Sequence, residues 1–263
     1  MIIRILLLTI SLCEYVSVNA QTYSLFNPVP RDEMRPFSID RPGVTESPIS
    51  VDAGHFQFEG DLYRWEKVFQ TDAPRIINVL NGLYKMGLTN KVDIQLGIEL
   101  HNIYQDAECN EVESGYGNTM VRLKYNFWGN DGEKGTALGV VPHVTLPTSP
   151  VDDDIAYGIG FPFEFTITEK LGGSAQFQFD FVPNGESHDF NYLQTIVIAG
   201  PVAGPVDFFF EGMAVFAQEV TIFSVNGGLL YSISPNVKID VATNLGLVEE
   251  APTNVFCGLS FRL

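Results

Sequence analysis

The chain has 263 residues, enough for one large β domain or two ordinary ones. A formal charge of −17 and a pI near 4.4 argue against nucleic acid and against anionic membrane surfaces as partners. Charged residues are sparse at 18%, aromatics plentiful at 12%, and a mean hydropathy of only +0.09 excludes a bundle of membrane helices.

Residues 1–20 carry one positive charge, Arg4, then the apolar stretch Ile5 to Leu12, then Val18-Asn19-Ala20. That order predicts a secretory signal peptide cleaved before Gln21. Its apolar core is too short to span a bilayer. Leu12 is bulkier than a lipidation site at Cys13 tolerates. The mature chain then keeps Cys109 in a loop and Cys257 in the last strand, both expected as free thiols. Residues 21–54 are punctuated by Pro28, Pro30, Pro36, Pro42 and Pro48. Proline denies a sheet its donor, so this segment is expected to be extended coil.

From His55 the pattern changes. Phe56, Phe58 and Leu62 fall on one face, and His55, Gln57, Glu59 and Asp61 on the other. Further strands are predicted at about 75–86, 91–101, 117–128, 136–146, 156–168, 173–181, 190–198, 206–216 and 221–233, followed by a closing hairpin from Asn236 to Leu263. Successive side chains of a strand point to opposite faces. In 92–100 the apolar set is Val92, Ile94, Leu96, Ile98 and Leu100, against Asp93, Gln95 and Glu99. In 120–128 it is Val121, Leu123, Tyr125 and Phe127, against Arg122, Lys124 and Asn126. In 174–181 it is Ala175, Phe177, Phe179 and Phe181, against Ser174, Gln176, Gln178 and Asp180. The last strand alternates to its end, with Val255, Cys257, Leu259, Phe261 and Leu263 on one side. No face is assigned for 75–86 or 190–198.

Periodicity alone fits two folds: a soluble sandwich with the apolar face inward, or a membrane barrel with it outward. Three features favour the barrel. Tyrosines and tryptophans cluster near strand ends (Trp65, Tyr84, Tyr104, Tyr125, Trp128, Tyr157, Tyr231). Charges of both signs hold mid-strand positions, and the alternation runs to an end that would be an exposed greasy edge unless it pairs with the first strand. Connections also alternate, short turns such as Gly87–Asn90 with longer polar loops such as Asn102–Tyr116 and Pro147–Ile155. The expected fold is therefore all-β: an antiparallel transmembrane β-barrel of about twelve strands over residues 55–263. Short turns would lie on the periplasmic side and longer loops outside. Residues 21–54 would either hang as a periplasmic tail or enter the barrel as a plug.

Parity sends Glu59, Asp93, Glu99, Arg122, Lys124, Glu164, Asp180, Asp207, Glu211 and Asp240 into the lumen. Arg122 and Lys124 are expected to face Glu99 and Asp93 across one pair of strands. These ionisable groups either fill a narrow barrel with salt bridges or guide a solute. The histidines, His55, His101, His143 and His188, have no catalytic or metal-binding motif around them, so neither an enzyme, a cofactor nor a metal is expected.

Asp40-Arg41-Pro42-Gly43-Val44-Thr45-Glu46-Ser47-Pro48, with Val51 and Gly54-His55-Phe56-Gln57-Phe58-Glu59, resembles the opening of the outer-membrane family labelled "putative MetA-pathway of phenol degradation". Gly87-Leu88-Thr89, Lys124-Tyr125, Leu146-Pro147-Thr148, Ala251-Pro252 and Gly258-Leu259-Ser260-Phe261 fit its later landmarks. The chain departs from it at Gly117-Asn118-Thr119, at Ser149 and in ending on Leu263. The resemblance implies a porin-like outer-membrane transporter for small, hydrophobic or aromatic, organic compounds. The implied partners are that solute, outer-membrane lipid and the barrel assembly machinery. A barrel with a closed lumen and a structural or surface-interaction role is the alternative.

Overall fold

The computed structural model describes residues 23–68, 75–106, 108–132, 135–149, 154–185, 187–218 and 220–263. The signal peptide expected at 1–20 lies outside the described residues. The chain forms one antiparallel sheet of 15 strand segments that closes on itself. β1 (Phe56–Val68) pairs with β15 (Pro252–Arg262), and the neighbours between them follow in chain order. Three of the staves are each built from two segments. β2 (Arg75–Val79) and β3 (Gly82–Gly87) are one, β4 (Val92–Ile98) and β5 (His101–Gln105) another, β6 (Glu111–Gly115) and β7 (Thr119–Trp128) the third. The remaining staves are β8 (Thr136–Leu146), β9 (Ala156–Thr166), β10 (Gly172–Asn184), β11 (Ser187–Ala203), β12 (Val206–Phe216), β13 (Thr221–Ser234) and β14 (Val237–Gly246). The result is a closed barrel of twelve staves.

The three breaks lie at one level. Val79 pairs with His101 and Gly82 with Ile98, so the gaps at Leu80–Asn81 and Glu99–Leu100 are adjacent. Asn102 secures the crease. Its side-chain oxygen accepts from Asn78 Nδ2 at 2.7 Å and Asn81 Nδ2 at 3.1 Å, and its nitrogen donates to Glu99 at 2.9 Å. Above the crease, β5 and β6 pair as a hairpin, so the stretch expected as an open loop at Asn102–Tyr116 is largely strand. The alternation is hidden there because Glu111, Val112, Glu113 and Ser114 are all exposed.

The sides of the barrel are inverted relative to a soluble protein. Asp93 and Glu211 are fully covered (0% exposed) and Lys124 retains 1%, while Ile94, Leu123 and Phe210 beside them are 42%, 43% and 55% exposed. Water would not tolerate such an outer surface; lipid requires it. Inside, the described interior is mainly polar, with one apolar patch formed by Val197, Phe209, Ala242 and Phe256. In β1 the register shifts between Asp61 and Tyr63, which turns Leu62 and Tyr63 both outward and then sends Arg64 in. Among the described residues no helix is long and apolar enough to cross a membrane, which says nothing of a barrel. Cys109 and Cys257 are both free, the former exposed.

Candidate functional site

The interior is occupied by the segment that precedes β1. It enters at the end of the barrel where the short turns lie, crosses the lumen and returns to the same end. Its base is pinned by Asp52, which accepts from Arg35 Nε at 2.7 Å and pairs with Arg262 of β15 at 3.0 Å. Beside it, the His55 ring contacts the carbonyls of Val29 at 2.7 Å and Leu263 at 2.9 Å. The middle of the segment, Asp40 to Pro48, is the motif that stood out in the sequence, and nearly every residue of it has a wall partner.

Asp40 accepts from Lys85 Nζ at 2.6 Å and Lys124 Nζ at 3.1 Å, with Arg122 Nη2 at 3.9 Å. Burial alone would raise this carboxyl; the three cations overcome it and hold Asp40 well below the usual carboxylate range. Arg41 takes Asp240 with two bonds, at 3.0 and 2.7 Å, and Asp61 with a third at 2.5 Å. Glu211 accepts the backbone N–H of Val44 at 2.9 Å and of Thr45 at 2.7 Å, the Thr45 hydroxyl at 2.6 Å, and Asn226 Nδ2 at 3.0 Å. Because the Thr45 hydroxyl proton is committed to that carboxylate, Thr195 is the donor in the 2.5 Å Thr45–Thr195 contact. Glu46 pairs with Arg122, and its N–H donates to Gln176 at 2.7 Å. Ser47 donates to Glu164 at 2.6 Å, and the Pro48 carbonyl accepts from Asn126 at 2.9 Å.

The wall is shaped to take this loop. Inward positions on three staves are glycine where a side chain would crowd the loop: it would collide with the Arg41 guanidinium at Gly258 and the Asp52 backbone at Gly87, and press on Pro48 at 3.1 Å at Gly139. Buried polar groups are tolerated only when paired. The backbone N–H groups of Asp40, Arg41, Val44, Thr45, Glu46 and Val51, which have no sheet to join, are therefore met by side chains from Glu59, Glu211, Gln176 and Asp93.

Of the residues that parity sends inward, Glu59, Asp93, Arg122, Lys124, Glu164, Glu211 and Asp240 meet on this loop. Asp207 lies nearer the turn end, and Asp180 nearer the loop end, where it holds His143 Nε2 at 2.9 Å. Glu99 does not reach the loop; its side chain accepts from Asn102 of the crease at 2.9 Å. It is exposed in the gap between β4 and β5, because the crease takes that residue out of the strand. The expected facing of Arg122 and Lys124 to Glu99 and Asp93 holds for Lys124 with Asp93 and fails for Arg122 with Glu99. Lys124 lies opposite Asp93 and Arg122 opposite Gln95, and the carboxylates nearest both cations are Asp40 and Glu46 of the loop. Strand parity predicts which way a side chain points; it holds no information about a loop folded in from elsewhere in the chain. The signal available was the dense motif itself, Asp40 to Pro48, polar and turn-rich yet outside any strand.

Between the loop and the turn ends of β8 to β14 lies a cavity of about 620 Å³. Phe37, Ile39, Val197, Phe209 and Leu230 give it an apolar side; Glu164, Asp207 and Lys238 give it a charged one. Lys238 Nζ donates to the Phe37 carbonyl at 3.0 Å and lies 5.5 Å from the ring centre of the same residue. Among the described residues no cluster of metal-ligating side chains is present.

Solved structures with the same architecture include porins and an outer-membrane channel. The NanC porin superposes with a TM-score of 0.55 at 10% identity, covering 79% of this chain and all (100%) of its own. The "COG4313 outer membrane channel from Pseudomonas putida F1" gives 0.54 at 11% identity, over 84% of this chain and 99% of that one. The KdgM porin gives 0.53 at 14%, over 78% and 98%. At such identities the likeness is one of fold. A comparison with curated proteins finds no match. The profile of the family described as "Putative MetA-pathway of phenol degradation" matches residues 39–263, from the loop motif to the last residue, and the chain belongs to that family.

Proposed function

We propose that the protein is an outer-membrane channel for small organic compounds with apolar or aromatic bodies, closed at rest by its own N-terminal loop. The observation that carries this reading is the cavity beside the loop. Its volume of about 620 Å³ suits a small organic molecule, and its surface pairs an apolar side with a few charged groups. A wall built only for stability would have no reason to keep such a space. The porin-like fold of its neighbours supports transport, and the segment at 1–20 would supply export to the outer membrane.

A specific observation favours the alternative, a barrel with a structural role. The loop is tied to the wall by several buried ion pairs, which fill the middle of the lumen. Liposome swelling separates the two. Residues 39–49 are replaced by a short Gly-Ser linker and compared with the full chain, using arabinose and benzyl alcohol as solutes. A channel gives rapid swelling once the loop is shortened, and measurable passage of benzyl alcohol above protein-free liposomes in the full chain. No swelling from the shortened variant, folded by heat-modifiable gel mobility, would leave the structural reading standing alone.

A further inference from the structure

The strongest further feature of the lumen is a group of three cations on the two staves that flank β4. Lys85 of β3 lies opposite Gln95 of β4, which in turn lies opposite Arg122 of β7; Lys124 follows two residues along the same inward face. All three belong to the wall and stay in place wherever the loop goes. The wall carboxylates near them are already engaged. Glu59 binds Lys85 and the backbone N–H groups of Asp40 and Arg41, and Asp93 accepts from Val51 N–H and Gln95. Asp40 and Glu46, both from the loop, supply the rest of the counter-charge. Without those two, the three cations keep Glu59 and Asp93, with Glu164 in reach of Lys124, and lose the carboxylates that touch Arg122 and Lys124 directly.

We propose that Lys85, Arg122 and Lys124 form a binding site for the carboxylate of an organic acid, and that Asp40 and Glu46 occupy it as internal stand-ins while the loop is seated. Arg122 shows that the loop does not exhaust the site. Its Nε is buried and without a hydrogen-bond partner among the described residues. A guanidinium fits a carboxylate with two parallel N–H donors, and Glu46, tethered to the loop, pairs with Nη2 alone. An untethered carboxylate can take both. The cavity's lining includes Asp40 but none of the three cations, so Asp40 stands between the cavity and the site. A solute can therefore rest its apolar body against Phe37, Ile39 and Ile49 while its carboxylate displaces Asp40. The substrate class is then aromatic or aliphatic carboxylates in preference to uncharged phenols or alcohols. This rests on the channel reading for the solute's route, but the binding itself is measurable without transport.

The test uses the full chain in detergent carrying Asp40→Asn and Glu46→Gln, titrated calorimetrically with benzoate and with benzyl alcohol. Benzoate is expected to bind saturably and at least about tenfold more tightly than the alcohol, as charge-assisted pairing predicts, and more weakly as salt rises. Adding Lys124→Met should remove that preference. Equal affinity for the two ligands, or benzoate binding indifferent to Lys124→Met, overturns the proposal. Should the double variant lack heat-modifiable mobility, a Ser47→Cys, Cys109→Ser chain serves instead. Benzoate should speed maleimide labelling of the buried loop cysteine and benzyl alcohol should not; equal rates overturn it. A swelling assay that fails while benzoate binds would sink the channel and leave the site.

Discussion

Arg41 of the inserted loop grips Asp240 of β14 with two hydrogen bonds, Nε to Oδ2 at 3.0 Å and Nη2 to Oδ1 at 2.7 Å, joining residues 199 positions apart. A third bond reaches Asp61 of β1, so one guanidinium ties the loop to two staves. Truncating one member of a buried pair is costly because the other stays charged and unpaired, typically about 3–5 kcal/mol. Here Arg41→Ala would leave Asp240 charged and unpaired, while Asp61 keeps Arg64 at 2.8 Å. The barrel itself is held by its ladder, so the expected outcome is a folded protein with an unseated loop. Single-channel current in a planar bilayer should rise while heat-modifiable mobility persists. Unchanged conductance would show that the fork does not hold the loop.

The same contact explains Gly258. A side chain there would meet the Arg41 guanidinium head-on, yet the position is an ordinary inward site of β15. Gly258→Val is thus expected to unseat the loop, raising conductance as Arg41→Ala does, although valine suits a strand well. Combining the two substitutions should add little, since both remove one interaction. Fully additive effects would place the cause elsewhere.

Inside and outside can be tested on neighbouring residues of β7. Leu123 points to lipid, and Leu123→Arg near mid-strand should destabilise the barrel by about 2–4 kcal/mol in unfolding from lipid vesicles. Arg122→Glu, one residue away, sets a carboxylate beside Asp40 and Glu46. It should leave a folded barrel, expel the loop and shift ion selectivity toward cations. A reversed ranking of the two variants in stability would invert the wall.

Much of this architecture was legible in the sequence, and the reason is physical. A stave that separates lipid from a polar lumen must alternate at period two, and Val121-Arg122-Leu123-Lys124 states that alternation in four residues. Glu99 obeyed the pattern and still did not meet the loop, because the crease at Glu99–Leu100 breaks the strand and its side chain bonds Asn102 there. The loop was harder to read. Its prolines forbid a central strand, but a tail in the periplasm and a plug in the lumen satisfy that equally. What separates them is pairing over long sequence distance, such as Thr45 with Glu211, and no local pattern encodes it. Beside the motif itself, the inward glycines such as Gly139 and Gly258 were a local trace, readable as missing side chains once the loop is seen beside them.

Acid should open the channel only late. The Asp40 carboxyl is buried, which by itself would raise it, but Lys124, Lys85 and Arg122 hold it below the usual range. A carboxyl depressed in the folded state contributes stability that is fully present above its unfolded value, about 3.9, and is lost as pH falls through the lower folded value. The window therefore lies in strong acid. From neutral pH to about pH 4 the Asp40 anchor stays charged, so conductance through the full chain should stay low. Below that, protonation removes the anchor, the three cations repel one another, and the loop is expected to leave. Asp40→Asn should already conduct at neutral pH and show a smaller further rise in acid. Conductance that climbs between pH 7 and pH 5 in the full chain, and equally in Asp40→Asn, would assign the closing charge to a group other than Asp40.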